Sequence, residues 1–226
     1  MPKMRIDEDT DIIAYSREQV ELLDNYFRDT NAETAYLLGR WCGLRINECY
    51  GLKWDNIDLR RGTITIDRQM QYQEGLIKLV SLKTRNARRT VYMSAKLKEY
   101  LRHLKQENKV QSVALAEQRA QNQTFITGID GQQISSLDLV NCLPNGKIQT
   151  VNSMKYHSRT IKSELGINFK YHHLRHTYGT RLAEMNTPTH ILCNQMGHAS
   201  GKVTERYYLA VSKTGIDVLT KNLNAM

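Results

Sequence analysis

The sequence predicts a mainly helical α+β fold that contains a small antiparallel sheet of three strands. Apolar residues recur every three or four positions over most of the chain, as in helices that bury one face. Between Leu52 and Met93 this period gives way to alternation broken by turn residues, as in a strand meander. A length of 226 residues is enough for one domain with a proper core.

The N-terminal part predicts an extended lead-in followed by three helices. The first helix begins at Ser16, because Ser16 and Gln19 have the spacing of a capping box. Gly43 ends the second helix, and Arg45 therefore lies at the opening of a short third helix, near N–H groups that favour an anion. The predicted bounds are 1–15 for the lead-in and 16–28, 31–42 and 46–50 for the helices.

Three strands are predicted next, with a cationic connection between the second and the third. The strands are Thr63–Asp67, Leu76–Leu82 and Arg89–Met93. The second connection carries four cations in seven residues. Such a loop can reach into a DNA groove, although its charge could equally serve only to keep a hairpin tip solvated. The predicted DNA-binding residues are Lys78, Arg85, Arg88 and Arg89.

The rest of the chain predicts further helices. Ser94 caps one, Pro188 lies in the first turn of another, and a short helix leads to Tyr207. Residues 130–147 are punctuated by Gly, Asp-Gly and Pro-Asn-Gly, which indicates loops with room for one hairpin. The predicted ranges are 110–121, 150–165 and 172–185 for three of the helices, 16–212 for the main domain, and 213–226 for a tail helix with an apolar stripe.

The composition says more about the kind of partner that the protein binds than about its fold. Lys and Arg number 32 against 23 Asp and Glu, giving a net charge of +9 and a pI near 9.4. This excess favours nucleic acid or another anionic surface, although a basic protein of no special function would also show it. The four scattered cysteines predict reduced thiols, and the sequence predicts neither a membrane span nor a signal peptide. We therefore expect a cytoplasmic protein without a membrane partner.

Two arginines, two histidines and a tyrosine predict a site for phosphoryl transfer. Arg45 and Arg175 could clamp one phosphate, since each guanidinium donates parallel hydrogen bonds and stays charged, and His198 could donate a further bond. Tyr207 is the predicted nucleophile; its ionisation at pH 7 costs roughly 4 kcal/mol. His172 is the candidate base. Lys83 is the candidate proton donor to the departing sugar oxygen, and the scheme needs no metal or other cofactor.

The clustered histidines also raise a zinc hypothesis. His172 and His176 are four residues apart, as in zinc sites carried by helices. No glutamate follows His172, however, and Arg175 within the cluster would repel a dication. The zinc hypothesis is therefore set aside, and His176 is assigned to packing.

These motifs together resemble the catalytic domain of the tyrosine recombinases, the integrases of phages and conjugative transposons. Gly43-Leu44-Arg45-Ile46-x-Glu48 resembles the family's first arginine box, with Glu48 as supporting acid. Leu82-Lys83-Thr84-Arg85 resembles its lysine hairpin, and His172-His173-Leu174-Arg175-His176-Thr177 its second box. Met196-Gly197-His198 resembles its later histidine motif, and Tyr207 lies at the family's spacing from it.

The resemblance implies more than the residues alone. It implies a helical catalytic domain over residues 16–212, with the three-stranded sheet at one edge. It implies cleavage and rejoining of double-stranded DNA through a 3′-phosphotyrosyl intermediate, as in the integration of mobile elements. It also implies a homo-oligomer, a tetramer on DNA, assembled through the tail helix. Two alternatives remain open: a type IB topoisomerase, and a basic protein that binds DNA without cleaving it.

Overall fold

In a computed structural model, the chain is described at residues 12–82, 87–198, 201–209, 211 and 223. The mainly helical α+β class is confirmed. The helices are α1 Arg17–Phe27, α2 Glu33–Cys42, α3 Ile46–Tyr50, α4 Ala95–Ala114, α5 Ala116–Asn122, α6 Val151–Leu165, α7 Tyr171–Glu184, α8 Thr189–Met196, and α9 over residues 201–209. The strands are β1 Ile57–Asp58, β2 Thr63–Ile66, β3 Arg68–Gln73, β4 Leu76–Ser81, β5 Arg89–Tyr92, β6 Phe125–Thr127 and β7 Gln133–Ser135.

The helix ends follow the local chemistry that the sequence predicts. Ser16 and Gln19 form the capping box of α1 in both directions. Gly43 ends α2 in the left-handed conformation, at φ 62°, which a residue with a Cβ adopts at a cost. The chain then turns so that Arg45 is the N-cap of α3.

The three-stranded antiparallel sheet is confirmed, but its membership differs from the prediction. It has the order β1–β2–β5, so the predicted first and third strands pair with each other. The predicted middle strand, β4, pairs instead with β3 in a second sheet of order β3–β4–β6–β7. The predicted meander is therefore wrong in its pairing.

The error arises from β3, a strand that the sequence does not predict. Its sequence, Arg-Gln-Met-Gln-Tyr-Gln, buries only Met70, so apolar alternation is too weak to mark a strand. The turn between β3 and β4 lies at Glu74 and Gly75, whose φ angles of 54° and 78° suit a two-residue hairpin.

The hairpin expected near residues 130–147 forms earlier, from β6 and β7. Strand β6 also pairs with β4 in parallel, at Lys78 and Thr127. This pairing joins the hairpin to the second sheet.

The core has two parts, and the smaller one concerns function. The larger cluster lies among α1, α2, α3, the sheets, α4, α6 and the first turn of α7. The smaller cluster contains Ala183, Leu192, Met196 and Tyr207, so α7, α8 and α9 pack together around the predicted nucleophile. In the described part of the chain, no helix combines the length and apolar character that crossing a membrane requires.

Candidate active site

Arg45 and Glu48 form one unit at the start of α3. The Glu48 carboxylate accepts from the backbone N–H of Arg45 and from Arg45 Nη1, both at 2.9 Å. Glu48 is the third residue of the helix, the position from which a capping-box acid reaches back to the N-cap. The Arg45 side chain is 39% exposed, while that of Glu48 is 1% exposed. The buried carboxylate therefore holds the arginine on its inner side and leaves its outer side open to a ligand.

A second arginine, Arg89 of β5, binds the other side of the same carboxylate. Its Nη1 and Nη2 donate to the two Glu48 oxygens at 3.0 and 2.8 Å in a fork geometry. Its Nε donates to the Gln195 carbonyl at 3.1 Å, and its side chain is only 4% exposed. All three of its nitrogens are engaged inside the protein, which gives Arg89 a structural role, and its DNA contact stays a prediction.

The two arginines determine the charge state of Glu48. Burial alone would raise the pKa of this carboxyl, but the hydrogen bonds and charge of Arg89, together with Arg45, hold the pKa at about 2. Glu48 is therefore a buried anion at neutral pH, compensated by two cations. Removing either partner from such a group is costly.

Arg175 is buried without a carboxylate partner among the described residues, and two helix ends compensate its charge. Its Nη1 donates to the Gly43 carbonyl at the end of α2, at 2.7 Å. Its Nη2 donates to the Met196 carbonyl at the end of α8. The last carbonyls of a helix lack intrahelical partners and carry the negative end of its dipole, so they suit a buried cation.

Burial, and then the charges of Arg45 and Arg89, lower the pKa of Arg175 to about 9, which leaves it charged at neutral pH. Its two backbone bonds use two of the five guanidinium N–H groups. A phosphate therefore still has donors to meet. Arg175 is, however, only 1% exposed, and lies deeper than Arg45.

The end of α8 is fixed by close contacts to β5 and, through a hydrogen bond from Gln195 to the Tyr178 hydroxyl, to α7. The Gln195 side chain accepts from the Tyr92 backbone N–H at 3.1 Å and donates to the Tyr92 carbonyl at 3.0 Å, so it pairs with β5 as a neighbouring strand would. Gly197 follows at φ 65°, and a Cβ there would lie 2.6 Å from Arg89 Cδ. This packing fixes the backbone position of the next residue, His198.

His198 lies against the predicted nucleophile. Its ring stacks on that of Tyr207, with centroids 5.9 Å apart and planes 8° from parallel. Its Nδ1 is 2.8 Å from the hydroxyl of Thr204, one helical turn before Tyr207. Burial, and then the cations Arg175, Arg45 and Arg89, lower the pKa of His198 to about 3, so the ring is neutral at neutral pH.

Tyr207 is 3% exposed, and burial raises its pKa above the ordinary value of 10, against the opposing effect of Arg175 and Arg45. Its ring lies over Gly179 of α7, where an added Cβ would approach Tyr207 Cε1 to 2.7 Å. The neighbouring Tyr208 donates its hydroxyl hydrogen to the Thr187 carbonyl. The two tyrosines therefore point into different surroundings.

Two histidines of α7 complete the cluster. His172 is exposed, yet partial loss of water and the charges of Arg175 and Arg45 lower its pKa below 6.5. Its ring meets that of His176 edge-on, with centroids 4.5 Å apart, and His176 in turn lies 6.2 Å from the Tyr207 ring. His176 thus lies between the candidate base and the candidate nucleophile. Among the described residues, no group of three or more His, Cys, Asp or Glu could hold a metal ion.

The structure thus gathers most of the predicted site and leaves the cationic loop partly undescribed. Lys78 of β4 lies in the other sheet and donates to Glu74 at 2.8 Å, and Arg88 is exposed just before β5. Their DNA contacts remain predictions. Lys83 and Arg85 lie outside the described residues, as does the tail apart from Leu223. The residues brought together are Arg45, Glu48, His172, Arg175, His198 and Tyr207.

Sequence reasoning missed the residues that support this cluster. Gln195 and Thr204 are ordinary polar residues, and nothing in the local pattern marks their partners. Thr204 does have one signal, since it precedes Tyr207 by three positions and so shares its helix face. The fork of Arg89 on Glu48 joins residues 41 positions apart, which a single sequence does not reveal.

Comparison with known proteins places this sequence in a family. The model of the phage integrase family matches residues 14–214. A tyrosine recombinase XerC-like protein of Caldanaerobacter subterraneus subsp. tengcongensis is 24% identical over 217 residues, which cover 90% of this chain and 51% of that protein. The probable integrase of prophage ps2 from Lactococcus lactis subsp. lactis is 27% identical over 214 residues, which cover 88% of this chain and 52% of that protein. The chain thus spans about half the length of these relatives.

Solved structures share the fold at lower identity. The Tn1549 transposon integrase in complex with circular intermediate DNA superposes with a TM-score of 0.68 and 21% identity, covering 95% of this chain and 69% of that one. The XerA recombinase gives a TM-score of 0.59 and 17% identity, covering 96% and 66%. A tyrosine recombinase catalytic-domain fold, predicted from the motifs, is thereby confirmed.

Proposed function

This chain belongs to the phage integrase family, and we propose that residues 16–212 are the catalytic domain of a site-specific DNA recombinase. In this proposal the Tyr207 phenol attacks a phosphate of double-stranded DNA, forming a 3′-phosphotyrosyl intermediate and releasing a 5′ hydroxyl. The 5′ hydroxyl of a second strand then attacks that intermediate, which rejoins the DNA and releases Tyr207 without metal or ATP. The observation that carries the proposal is the stacking of His198 on Tyr207, beside Arg175 and Arg45, whose charges both act on the Tyr207 phenol. The names of the relatives and the DNA in the Tn1549 complex support a DNA substrate.

The roles follow from charge and exposure. Arg45, the more open guanidinium, meets the phosphate first, and Arg175 and His198 donate to its non-bridging oxygens as negative charge develops there. His172 is neutral at pH 7 and available to accept the phenol proton. Lys83 protonates the departing 5′ oxygen. Glu48 touches no substrate and positions Arg45.

Tyr207 reaches a DNA phosphate only after a movement of α9. At 3% exposure its phenol is covered in the free protein, and its raised pKa keeps it protonated. DNA binding is therefore coupled to displacement of α9, which brings the phenol in line with the phosphate. This coupling would keep the nucleophile from reacting before DNA is in place.

The proposed partners are double-stranded DNA and further copies of this chain. A net charge of +9 favours the phosphate backbone. We place the protein in the cytoplasm with its DNA, as a tetramer in which the tail of residues 213–226 docks on a neighbouring subunit. Deleting the tail tests this part, with the number of protein copies in the DNA complex determined from its mass. An unchanged number of copies would contradict it.

A nicked suicide duplex tests the chemistry. The full chain should form a covalent adduct that resists detergent, Y207F should lose it, and Y208F should keep it because Tyr208 is bonded to Thr187. An adduct that survives in Y207F would transfer the nucleophile to another residue. A gel shift without any adduct would support the DNA-binding alternative, and relaxation of a plasmid lacking the element's site would support the topoisomerase alternative.

A further inference from the structure

The hydroxyl of Thr204 is the polar partner of His198 on the helix that carries the nucleophile. The Thr204 Oγ1 to His198 Nδ1 distance is 2.8 Å, and Thr204 is fully buried. Threonine lies three residues before Tyr207, so both project from the same face of α9. One short helix therefore carries the stacking partner and the hydrogen-bonding partner of His198.

A neutral imidazole has one N–H and one bare nitrogen, and the bond made at one nitrogen selects the state of the other. Burial beside three arginines keeps His198 neutral. If the Thr204 hydroxyl donates to Nδ1, the ring proton must lie on Nε2. Only that tautomer offers an N–H at Nε2, the nitrogen on the far side of the ring from Thr204.

We propose that Thr204 is a positioning residue that holds His198 in the Nε2–H tautomer, with Nε2 presented as a hydrogen-bond donor. The inference rests on the proposed function for the use of that donor, which would bind a non-bridging phosphate oxygen. The tautomer itself is a property of the free protein. Because Thr204 and Tyr207 share α9, this role in cleavage requires that the movement of α9 toward DNA keeps Thr204 against His198.

Two substitutions separate the hydroxyl from the shape of Thr204. Thr204→Val keeps the branched shape and removes the hydroxyl, which leaves Nδ1 without its donor. Thr204→Ser keeps the hydroxyl and removes a methyl group. Nitrogen NMR of the full chain, with His198→Gln to assign the ring signals, identifies the protonated nitrogen in each protein.

In the wild type and in T204S we expect a single Nε2–H tautomer, and in T204V a mixture of tautomers. On the nicked duplex, T204V should cleave on the order of 10-fold more slowly while DNA affinity stays within about twofold, because one donor is misdirected and not removed. T204S should recover most of the rate, which a role in packing alone would not predict.

A wild-type ring protonated on Nδ1, or unchanged tautomer and rate in T204V, would overturn the assignment. The proposed function fails in a different way. If the wild-type protein forms no adduct but the NMR result is as expected, Thr204 still positions His198 and the recombinase reaction is the part that is wrong.

Discussion

Arg89 and Arg175 donate to consecutive carbonyl oxygens at the end of α8, those of Gln195 and Met196. Each arginine also binds the segment around Arg45, Arg89 through Glu48 and Arg175 through the Gly43 carbonyl. The end of α8 and the start of α3 are therefore connected twice, by two buried cations. His198 follows α8 directly, so the same bonds fix the distance between the histidine and Arg45.

Shortening Arg175 to lysine should damage both stability and cleavage. Lysine keeps the charge, but its three donors share one nitrogen, which cannot replace the two separate guanidinium nitrogens that bind the carbonyls of Gly43 and Met196. We expect R175K to lower the free energy of unfolding by about 1–3 kcal/mol, the cost of one unpaired buried group. Cleavage of the nicked duplex should fall on the order of 100-fold.

Denaturant unfolding and single-turnover adduct formation measure the two effects. Arg159→Lys, at an exposed position of α6, is the matched control and should change neither. If R175K matched the wild type in stability, the two carbonyl bonds would contribute nothing to the fold.

Arg88 and Arg89 are neighbours with different surroundings, and their substitutions should separate DNA affinity from fold. Arg88→Ala removes an exposed cation, so it should weaken DNA binding and reduce the slope of log affinity against log salt by about 1 without changing the Tm. Arg89→Ala removes the paired guanidinium hydrogen bonds to the buried Glu48 carboxylate and should cost roughly 3–5 kcal/mol of stability.

Each variant controls for the other, in DNA-binding titrations at several salt concentrations and in thermal unfolding. A reduced salt slope in R89A at unchanged Tm would show that Arg89 contacts DNA and does not support the fold.

Arg88 and Arg89 also show the limit of what a single sequence can predict. The local positions of Arg45, Arg175 and His198 follow from a helix end, a helix face and a glycine turn. The structure brings these three side chains close together. Arg88 and Arg89 look alike in sequence, because both belong to a cationic loop. Burial of Arg89 depends on how β5 pairs with β2, a nonlocal contact that the weak alternation of β3 concealed.

Glu48 should make stability depend on acid. Its pKa is lowered from 4.5 to about 2 in the folded protein. A carboxylate with a lowered pKa adds stability that is present above pH 4.5 and is lost as the pH falls towards 2. The size of the shift corresponds to roughly 3 kcal/mol.

Glu48→Gln, which keeps the shape and removes the charge, tests this effect. The difference in free energy of unfolding between wild type and E48Q should be largest at neutral pH and should shrink between pH 4.5 and 2. Glu99→Gln on the exposed face of α4 is the control, with a side chain 70% exposed. A difference that stays constant with pH would mean that Glu48 acts by packing alone.

The role of His172 as base predicts a particular pH profile. Its pKa is lowered below 6.5 while that of Tyr207 is raised above 10, so the reactive pair, neutral imidazole and protonated phenol, persists between these values. Single-turnover cleavage should therefore be level from about pH 7 to pH 9.

His172→Ala removes the base, and solvent hydroxide must then ionise the phenol. The cleavage rate of H172A should therefore rise with pH over the same range. At pH 7 it should be on the order of 100-fold or more below that of the wild type. His103→Ala, at an exposed site of α4, should keep the level profile. A level profile in H172A would assign the base to another group.

Gly179 should determine where Tyr207 rests. A Cβ at this position would lie 2.7 Å from Tyr207 Cε1 and 3.0 Å from Met196 Sδ, closer than packed atoms allow. Gly179→Ala must therefore displace α9 or strain it, at a cost of about 1–3 kcal/mol.

Hydrogen exchange over residues 201–209 should be faster in G179A. Gly201→Ala on α9 is the matched control, because its Cβ meets nothing closer than 3.9 Å, and it should slow exchange by favouring the helix. Equal exchange of residues 201–209 in G179A and the wild type would show that Tyr207 adapts to the added methyl group without moving its helix.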